Sequence, residues 1–367
     1  MNSNEMLLWQ RAMLRANKLS VRGLGLTSPN PIVGAVILDS SGVEVGSGFH
    51  AGGDHAEIVA LKSARLKGFD DFSSATLVVT LEPCNHYGKT PPCSQAIIEA
   101  NFARVIYAVS DPNPVARGGA DRLIEAGIEV IADIERDFVA FSNRAWLKKV
   151  ATGTPWVVTK IASTLDGMIA ALDGTSKWIT SEESRVDVAV LRSSSDVIVT
   201  STETVLRDNP ELTPRFPSSE PPRRETNPVR IVMGQREIPH EFKIHNDQAE
   251  TRFLSSRSLE DLLSFVSAPH WNQVLVEAGA QFNSALLEAG IVDEVILYQA
   301  PSILGQGKSF ANELSITTLS EKMEMSFGEI RRIGSDLRIQ LLQRHSPYAS
   351  LFKSVNFLEG FTKCSPV

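Results

Sequence analysis

Cysteine is scarce in this chain, since only Cys84, Cys93 and Cys364 occur in 367 residues. So small a set does not form a disulfide framework, and it suits a reducing compartment. Long apolar runs are also missing: no stretch approaches the roughly 18 consecutive apolar residues of a membrane-spanning helix. The opening residues 1–20 lack the apolar centre of a secretory signal. We therefore expect a cytoplasmic protein with no membrane partner, and a tail thiol without function at Cys364.

Basic residues are outnumbered by acidic ones, 36 to 43, so the formal net charge is −7. An extended nucleic-acid interface normally needs a basic face that displaces counterions, so we expect no nucleic-acid partner. Binding of a small anionic ligand is still compatible with this net charge, because a few local arginines are enough to bind one phosphate.

The length and the pattern of apolar segments predict two α/β domains. A chain of 367 residues is too long for one typical core. About five apolar strands, among them IVGAVILD and ATLVVTL, alternate with helical segments over residues 1–150. The pattern restarts after a short linker, which predicts a second domain over residues 151–345. Residues 215–228 read as a surface loop, and the tail over residues 346–367 has no predicted role.

The most informative motif is His55-Ala56-Glu57, followed by Pro83-Cys84 and by Cys93. One imidazole and two thiolates provide three zinc ligands and leave the fourth position of a tetrahedral site open for water. Glu57 is then free to move the proton between that water and a departing amine. Periodicity places His55 and Glu57 at the N-terminus of a helix over residues 56–66, and Cys93 at the start of another helix. This combination predicts a hydrolytic zinc deaminase.

Further motifs along the chain indicate a family. The segments PNPIVGAVI, HAE and VTLEPCNHYGKTPPC stand in the first half, and KIASTLDG, SKWITS, TVLRDNPELTPR, VEAG and IVDEVILYQAPSILG in the second. In these segments the chain resembles the bifunctional riboflavin-biosynthesis deaminase–reductase family. Eight residues lie between Cys84 and Cys93, where general cytidine deaminases usually have Cys-x-x-Cys, and this longer insert is the form found in that family.

The resemblance implies a fold and a two-step reaction. The fold is an N-terminal cytidine-deaminase-like α/β/α sandwich followed by a C-terminal dihydrofolate-reductase-like α/β domain. The substrate is a phosphorylated pyrimidine ribosyl compound, 2,5-diamino-6-(5-phosphoribosylamino)pyrimidin-4-one. Water replaces its 2-amino group with Zn²⁺ as the metal, and NADPH then reduces the ring-opened ribose to a ribityl chain. We also expect a homo-oligomer.

The resemblance further implies a role for each of several residues. In the deaminase half, zinc is held by His55, Cys84 and Cys93, the proton is moved by Glu57, and substrate is contacted by Asn30, His50 and Lys89. In the reductase half, the NADPH site comprises Ala162, Trp178, Thr204, Gly279, Ala280, Gln281, Phe282, Asn283, Ser284 and Ala285. Substrate contacts there are Ser176, Arg192, Asp208, Leu212, Arg215 and Glu277. The chain has no strand-linked GxGxxG, so the cofactor site rests on the resemblance and not on a dinucleotide-binding fingerprint.

Two other functions stay open at this point. Met168, Glu203 and Ala278 depart from the family's usual residues, which leaves the alternative that the second half is a non-catalytic binding module. A nucleic-acid base deaminase shares the HAE and Pro-Cys chemistry, although the acidic balance weighs against it. Two residues also have open roles: Lys160 either reaches the reductase cleft or lies at a strand end, and His86 either contacts substrate or is an exposed loop residue.

Overall fold

The structure is a computed structural model, and it describes residues 3–87, 91–217, 226–267 and 271–351. The chain divides into two units, Met1–Gly153 and Thr154–Val367. Within the described ranges, none of the helices has the length and apolar character needed to cross a membrane. The predicted tail lies largely outside the described residues, as does Cys364.

The first unit is built on one five-stranded sheet. Its strands are β1 (Gly34–Leu38), β2 (Glu44–Phe49), β3 (Thr76–Leu81), β4 (Arg104–Val109) and β5 (Glu129–Ile131). Its helices are α1 (Ser3–Ser20), α2 (Ala56–Leu66), α3 (Cys93–Glu99), α4 (Gly119–Glu125), α5 (Arg136–Ser142) and α6 (Arg144–Thr152). The strand order is β2-β1-β3-β4-β5, with β1 antiparallel to both neighbours and β3, β4 and β5 mutually parallel.

Both faces of this sheet are covered, because every residue of the central strand β3 is buried. Ala60 and Leu61 of α2 belong to the apolar cluster on one face, and Trp9 and Met13 of α1 belong to the cluster on the other. The unit is therefore a three-layer α/β/α sandwich, which confirms the fold predicted for the first half.

The second unit is built on an eight-stranded sheet with a small two-stranded sheet beside it. The strands are β6 (Trp156–Thr164), β7 (Met168–Ala171), β8 (Val197–Ser201), β9 (Val229–Met233), β10 (Thr251–Leu254), β11 (Gln273–Val276), β12 (Glu294–Ala300), β13 (Gly307–Ser309), β14 (Met325–Ile333) and β15 (Asp336–Gln343). The helices are α7 (Glu182–Ser193), α8 (Thr202–Asp208), α9 (Leu259–Val266) and α10 (Ala280–Glu288). Short 3-10 helices cover Val21–Gly23 in the first unit, and Lys243–His245 and Leu319–Glu321 in the second.

The large sheet has the order β10-β9-β8-β11-β6-β12-β15-β14, and β7 pairs with β13 separately. The six strands from β10 to β12 are parallel, and β15 and β14 are antiparallel additions. In open parallel sheets ligands bind beyond the carboxyl ends of the strands, so the carboxyl ends of β6, β8 and β11 are where a site is expected. The α/β architecture predicted for the second half is confirmed.

Candidate metal centre and ligand cleft

Three potential metal ligands meet in the first unit, although they are distant in the sequence. The ligand atoms of His55, Cys84 and Cys93 all lie within 4.8 Å of one another. His55 is the residue that precedes α2, Cys84 follows β3, and Cys93 is the first residue of α3. The His55 Nδ1 atom lies 3.2 Å from Cys93 Sγ and 3.6 Å from Cys84 Sγ.

These donors fit zinc in both type and spacing. A tetrahedral zinc with Zn–S near 2.3 Å and Zn–N near 2.0–2.1 Å holds its ligand atoms about 3.5 Å apart. The two nitrogen–sulfur distances, 3.2 and 3.6 Å, lie on either side of that value. The described part of the chain offers no fourth His, Cys or acidic residue to this cluster, as in catalytic zinc sites that keep one position open.

The electrostatics of the cluster favour a thiolate at Cys84. Hydrogen bonds from Cys93 and His55 outweigh the effect of burial and lower the pKa of the Cys84 thiol to about 4. The hydrogen bond with Cys84 in turn raises the pKa of His55. Glu57 is 3% exposed, and burial, together with the charge on Cys84, raises the pKa of its carboxyl to about 6. Cys84 is thus in the form that binds metal ions.

The turn that carries Cys84 is fixed from behind by the segment that leads into α4. The buried carboxylate of Glu82 accepts hydrogen bonds from the backbone N–H groups of Gly118 (3.0 Å) and Ala120 (3.1 Å). Gly119, between them, packs so closely that a Cβ atom there would lie 1.7 Å from the carbonyl oxygen of Pro83. The sequence pattern does not predict this support, because the segments involved are about 35 residues apart.

The three residues predicted to contact the deaminase substrate differ in how exposed they are and in their distance from the zinc ligands. His50 is buried, and its ring centroid lies 5.5 Å from that of His55. Asn30 is exposed in a turn, and Lys89 lies outside the described residues. His86 is half-buried, and its Nδ1 atom is buried without a hydrogen-bond partner among the described residues. Their roles stay predictions.

The second unit contains a cleft of about 990 Å³ at the predicted edge of its sheet. All six residues predicted to contact the reductase substrate line it: Ser176, Arg192, Asp208, Leu212, Arg215 and Glu277. Seven of the predicted NADPH residues line it too, namely Ala162, Trp178, Thr204, Gly279, Ala280, Gln281 and Asn283. The other three belong to α10, where Phe282 packs against the core, Ser284 is buried and Ala285 is half-buried. The roles of all these residues stay predictions.

A buried ion cluster lies at one wall of the cleft. Arg192 donates to Glu277 through Nε (2.5 Å) and Nη2 (3.0 Å), and the Lys160 ammonium lies 3.0 Å from the same carboxylate. Burial alone would raise the pKa of Glu277, but the charges of Arg192 and Lys160 lower it well below its ordinary range. Lys160 is predicted either to reach the cleft or to lie at a strand end. The structure shows it in the cleft, because both Lys160 and its partner Glu277 line that cleft.

Of the three residues that depart from the family pattern, Met168 and Ala278 form backbone hydrogen bonds, and Glu203 forms a side-chain contact. The Met168 N–H donates to the Thr164 hydroxyl at 2.9 Å. Glu203 forms an ion pair with Arg236. Ala278 lines the cleft, and its carbonyl accepts a hydrogen bond from an α10 side-chain amide at 3.0 Å.

Two family models match the chain, one in each unit. The cytidine and deoxycytidylate deaminase zinc-binding region matches residues 8–109, and the RibD C-terminal domain matches residues 155–339. The first match contains the His/Cys/Cys cluster, and the second contains the residues that line the cleft.

Curated proteins and solved structures resemble the chain over nearly its whole length. The riboflavin biosynthesis protein RibD of Mycobacterium tuberculosis is 40% identical over 94% of this chain and 100% of its own length. RibD of Escherichia coli is 37% identical over 90% of this chain and 98% of its own length. The crystal structure of a diaminohydroxyphosphoribosylaminopyrimidine deaminase/5-amino-6-(5-phosphoribosylamino)uracil reductase from Thermotoga maritima superposes with a TM-score of 0.83 at 32% identity, covering 92% of this chain and 99% of that one. Acinetobacter baumannii RibD superposes with a TM-score of 0.82 at 35% identity, with the same coverage.

Proposed function

The chain belongs to the RibD family of bifunctional riboflavin-biosynthesis deaminases and reductases, and we propose that it performs both steps on one phosphorylated pyrimidine. The substrate is 2,5-diamino-6-(5-phosphoribosylamino)pyrimidin-4-one, and the deaminated intermediate is 5-amino-6-(5-phosphoribosylamino)uracil. The observation that carries the proposal is that one chain holds a zinc-compatible His/Cys/Cys cluster beside a buried glutamate and, in its other unit, a cleft lined by the predicted reductase residues.

Deamination takes place in the first unit. His55, Cys84 and Cys93 would hold the zinc, which when bound acts as a Lewis acid that makes water a nucleophile near neutral pH. Glu57 takes the proton of the attacking water and delivers it to the departing 2-amino group, so that water is consumed and ammonia is released. Its burial supports this role, because a sheltered carboxylate keeps the proton within the site.

Reduction takes place in the cleft of the second unit, with NADPH as the source of hydride. Arg192 uses Nε and one N–H of Nη2 for Glu277, and one N–H of Nη1 for the carbonyl of Thr213 at 2.9 Å. A guanidinium has five N–H donors, so two remain for a substrate oxygen. The ion pair with Glu277 fixes the direction of those donors, and Arg215 on the same lining adds a second cation for the phosphate.

The two steps can be separated in one preparation. Zinc-loaded full-length protein incubated with the diaminopyrimidine, and without NADPH, should release ammonia and accumulate the aminouracil intermediate. Addition of NADPH should then convert the intermediate to the ribityl product. Ammonia release that persists after the zinc is removed by a chelator would contradict the deaminase assignment.

The two alternative functions are not favoured. The RibD C-terminal domain matches residues 155–339, which speaks against a second half that only binds ligands. The full-length relatives are riboflavin biosynthesis proteins, which speaks against a nucleic-acid base deaminase. The cytoplasmic location and the homo-oligomeric state remain predictions from the sequence, and failure to bind RNA at low salt would support the predicted lack of a nucleic-acid partner.

A further inference from the structure

Among the described residues of the second unit, the most deeply buried charged side chain is that of Arg230. It stands in the apolar strand β9, is 0% exposed and heads the fully buried side chains by volume. Burial lowers the pKa of its guanidinium, and within the described ranges it forms no salt bridge. Burial of a cation outside a salt bridge is costly, and the charge of Glu211 offsets only part of the effect on the pKa of Arg230. The hydrogen bonds of Arg230 therefore indicate what this residue contributes.

Four hydrogen bonds join the guanidinium to two loops. Nη1 donates to the Glu211 carbonyl at 3.1 Å and to Asn246 Oδ1 at 2.9 Å. Nη2 donates to the Asn246 carbonyl at 2.7 Å and to the Ala249 carbonyl at 2.6 Å. Three of the four acceptors are backbone carbonyls, so the guanidinium fixes the course of the main chain.

The first of these segments, residues 208–213, consists of the last residue of α8 and the loop after it. It forms part of the cleft wall and is called the cleft segment below. Asp208 and Leu212 of this segment line the cleft. Its backbone is unusual, because Asn209 and Leu212 have φ values of 44° and 53°, in the left-handed region that non-glycine residues seldom adopt. Such a conformation persists only where the surroundings hold it.

The second loop, residues 242–249, holds the cleft segment from behind. The Asn246 side-chain amide donates to Glu211 Oε1 at 3.1 Å, and the Lys243 N–H donates to Asn209 Oδ1 at 2.8 Å. Arg230 lies where the two loops meet, because it bonds to Glu211 in one and to Asn246 in the other. Without the guanidinium, these carbonyls would lose their donor and the two loops would lose their common support.

We propose that Arg230 is a positioning residue for the reductase substrate: through the Glu211 carbonyl and Asn246 it holds the cleft segment in the conformation that presents Asp208 and Leu212 to the substrate. This inference rests on the proposed reductase function. It assigns no contact between Arg230 and the substrate or the cofactor. The predicted NADPH residues lie outside residues 208–213, with Thr204 one turn earlier in α8, so we expect Arg230 to act mainly on substrate binding.

The test uses full-length, zinc-loaded protein with the substitutions Arg230→Met, Arg230→Lys and Asn246→Ala. The matched control is Arg252→Met, because Arg252 stands on the adjacent strand β10, forms an exposed pair with Glu250 and lies 5.2 Å from the ring centroid of Trp271, and it is not part of the cleft lining. The steady-state constants kcat and KM are measured for the aminouracil intermediate and for NADPH, and the Kd of the intermediate is measured by calorimetry. Ammonia release by the first unit reports how much of each preparation is folded there.

Arg230→Met should raise the KM and the Kd for the intermediate about tenfold, which corresponds to about 1.4 kcal/mol of binding free energy. The KM for NADPH and the ammonia release should stay at the values of the unsubstituted protein. Arg230→Lys, which keeps a donor, should restore part of the loss, and Asn246→Ala should give a smaller rise in the same direction. Arg252→Met should leave all constants unchanged.

A fall in kcat alone, with both KM values and the Kd unchanged, would show a merely structural role and overturn the inference. If Arg230→Met does not fold, Arg230→Lys and Asn246→Ala decide, and unchanged substrate binding in both would overturn the inference. Lack of NADPH oxidation by the unsubstituted protein would contradict the proposed reductase function instead. The Kd comparison still tests the positioning in that case.

Discussion

Gly119 offers the sharpest test of how the zinc ligands are supported. In Gly119→Ala the new Cβ atom would lie 1.7 Å from the Pro83 carbonyl oxygen, whereas real Cβ contacts are essentially never below 3.0 Å. One of the two backbones must therefore move by about 1.3 Å, the difference between these distances. Zinc–ligand distances tolerate only about 0.2 Å, and Pro83 immediately precedes the ligand Cys84. We expect zinc affinity to fall about 10- to 100-fold, with about 1–3 kcal/mol lost in stability.

The assay is competition for zinc with a chromogenic chelator, together with the rate of ammonia release. The control is Gly53→Ala, because a Cβ atom at Gly53 meets nothing within 4 Å. NADPH oxidation with the aminouracil intermediate should be unaffected in both variants, because the cleft lies in the other unit. Wild-type zinc affinity and deaminase activity in Gly119→Ala would refute the account of how α4 supports the Cys84 turn.

Three further predictions concern the charged residues of the two sites. Glu57→Gln should keep its zinc but lower the deaminase kcat about 10²- to 10⁴-fold; a variant that still deaminates at the wild-type rate would remove Glu57 from proton transfer. Arg192→Ala should raise the reductase KM for the intermediate at least about tenfold, and unchanged kinetics would exclude a substrate contact. Glu277→Gln should destabilise the second unit by about 3–5 kcal/mol, because Arg192 and Lys160 lose their buried partner. The folded-state pKa of Glu277 is lowered from 4.5, so the stability difference between the unsubstituted protein and Glu277→Gln should be full above pH 4.5 and shrink as the pH falls below it. Calorimetry measures this as a difference in unfolding temperature. A difference that grows on acidification would contradict the assignment.

Local patterns in the sequence are enough to predict the elements that carry the zinc ligands. The helix predicted over residues 56–66 has the same bounds in the structure, because its apolar period and polar start are encoded in consecutive residues. The central strand is predicted for the same reason, since all of its residues are apolar or small and buried. Spacing and residue type also bring His55, Cys84 and Cys93 together, because the carboxyl end of a strand and the starts of two helices meet at one sheet edge.

Contacts between distant segments could not be predicted in this way. Arg192 and Glu277 are 85 residues apart, and Glu82 accepts a hydrogen bond from the backbone of Gly118, 36 residues further along the chain. The burial of Arg230 could be predicted, because it is an arginine inside the apolar run VRIVM. Its hydrogen-bond partners could not, because most of them are backbone carbonyls, which have no sequence signature. Helices α5 and α6 are likewise absent from the prediction, because they are short and lie next to the residues read as a linker.

We expect one chain to perform deamination and then reduction on the same substrate. The most direct test follows ammonia and NADPH separately in one reaction of zinc-loaded, full-length protein with the diaminopyrimidine. Ammonia should appear first, and one NADPH should then be oxidised for each ammonia released. Glu57→Gln should abolish both signals with the diaminopyrimidine but keep NADPH oxidation with the aminouracil intermediate. Ammonia release without any NADPH oxidation, even when the intermediate is supplied, would contradict the claim.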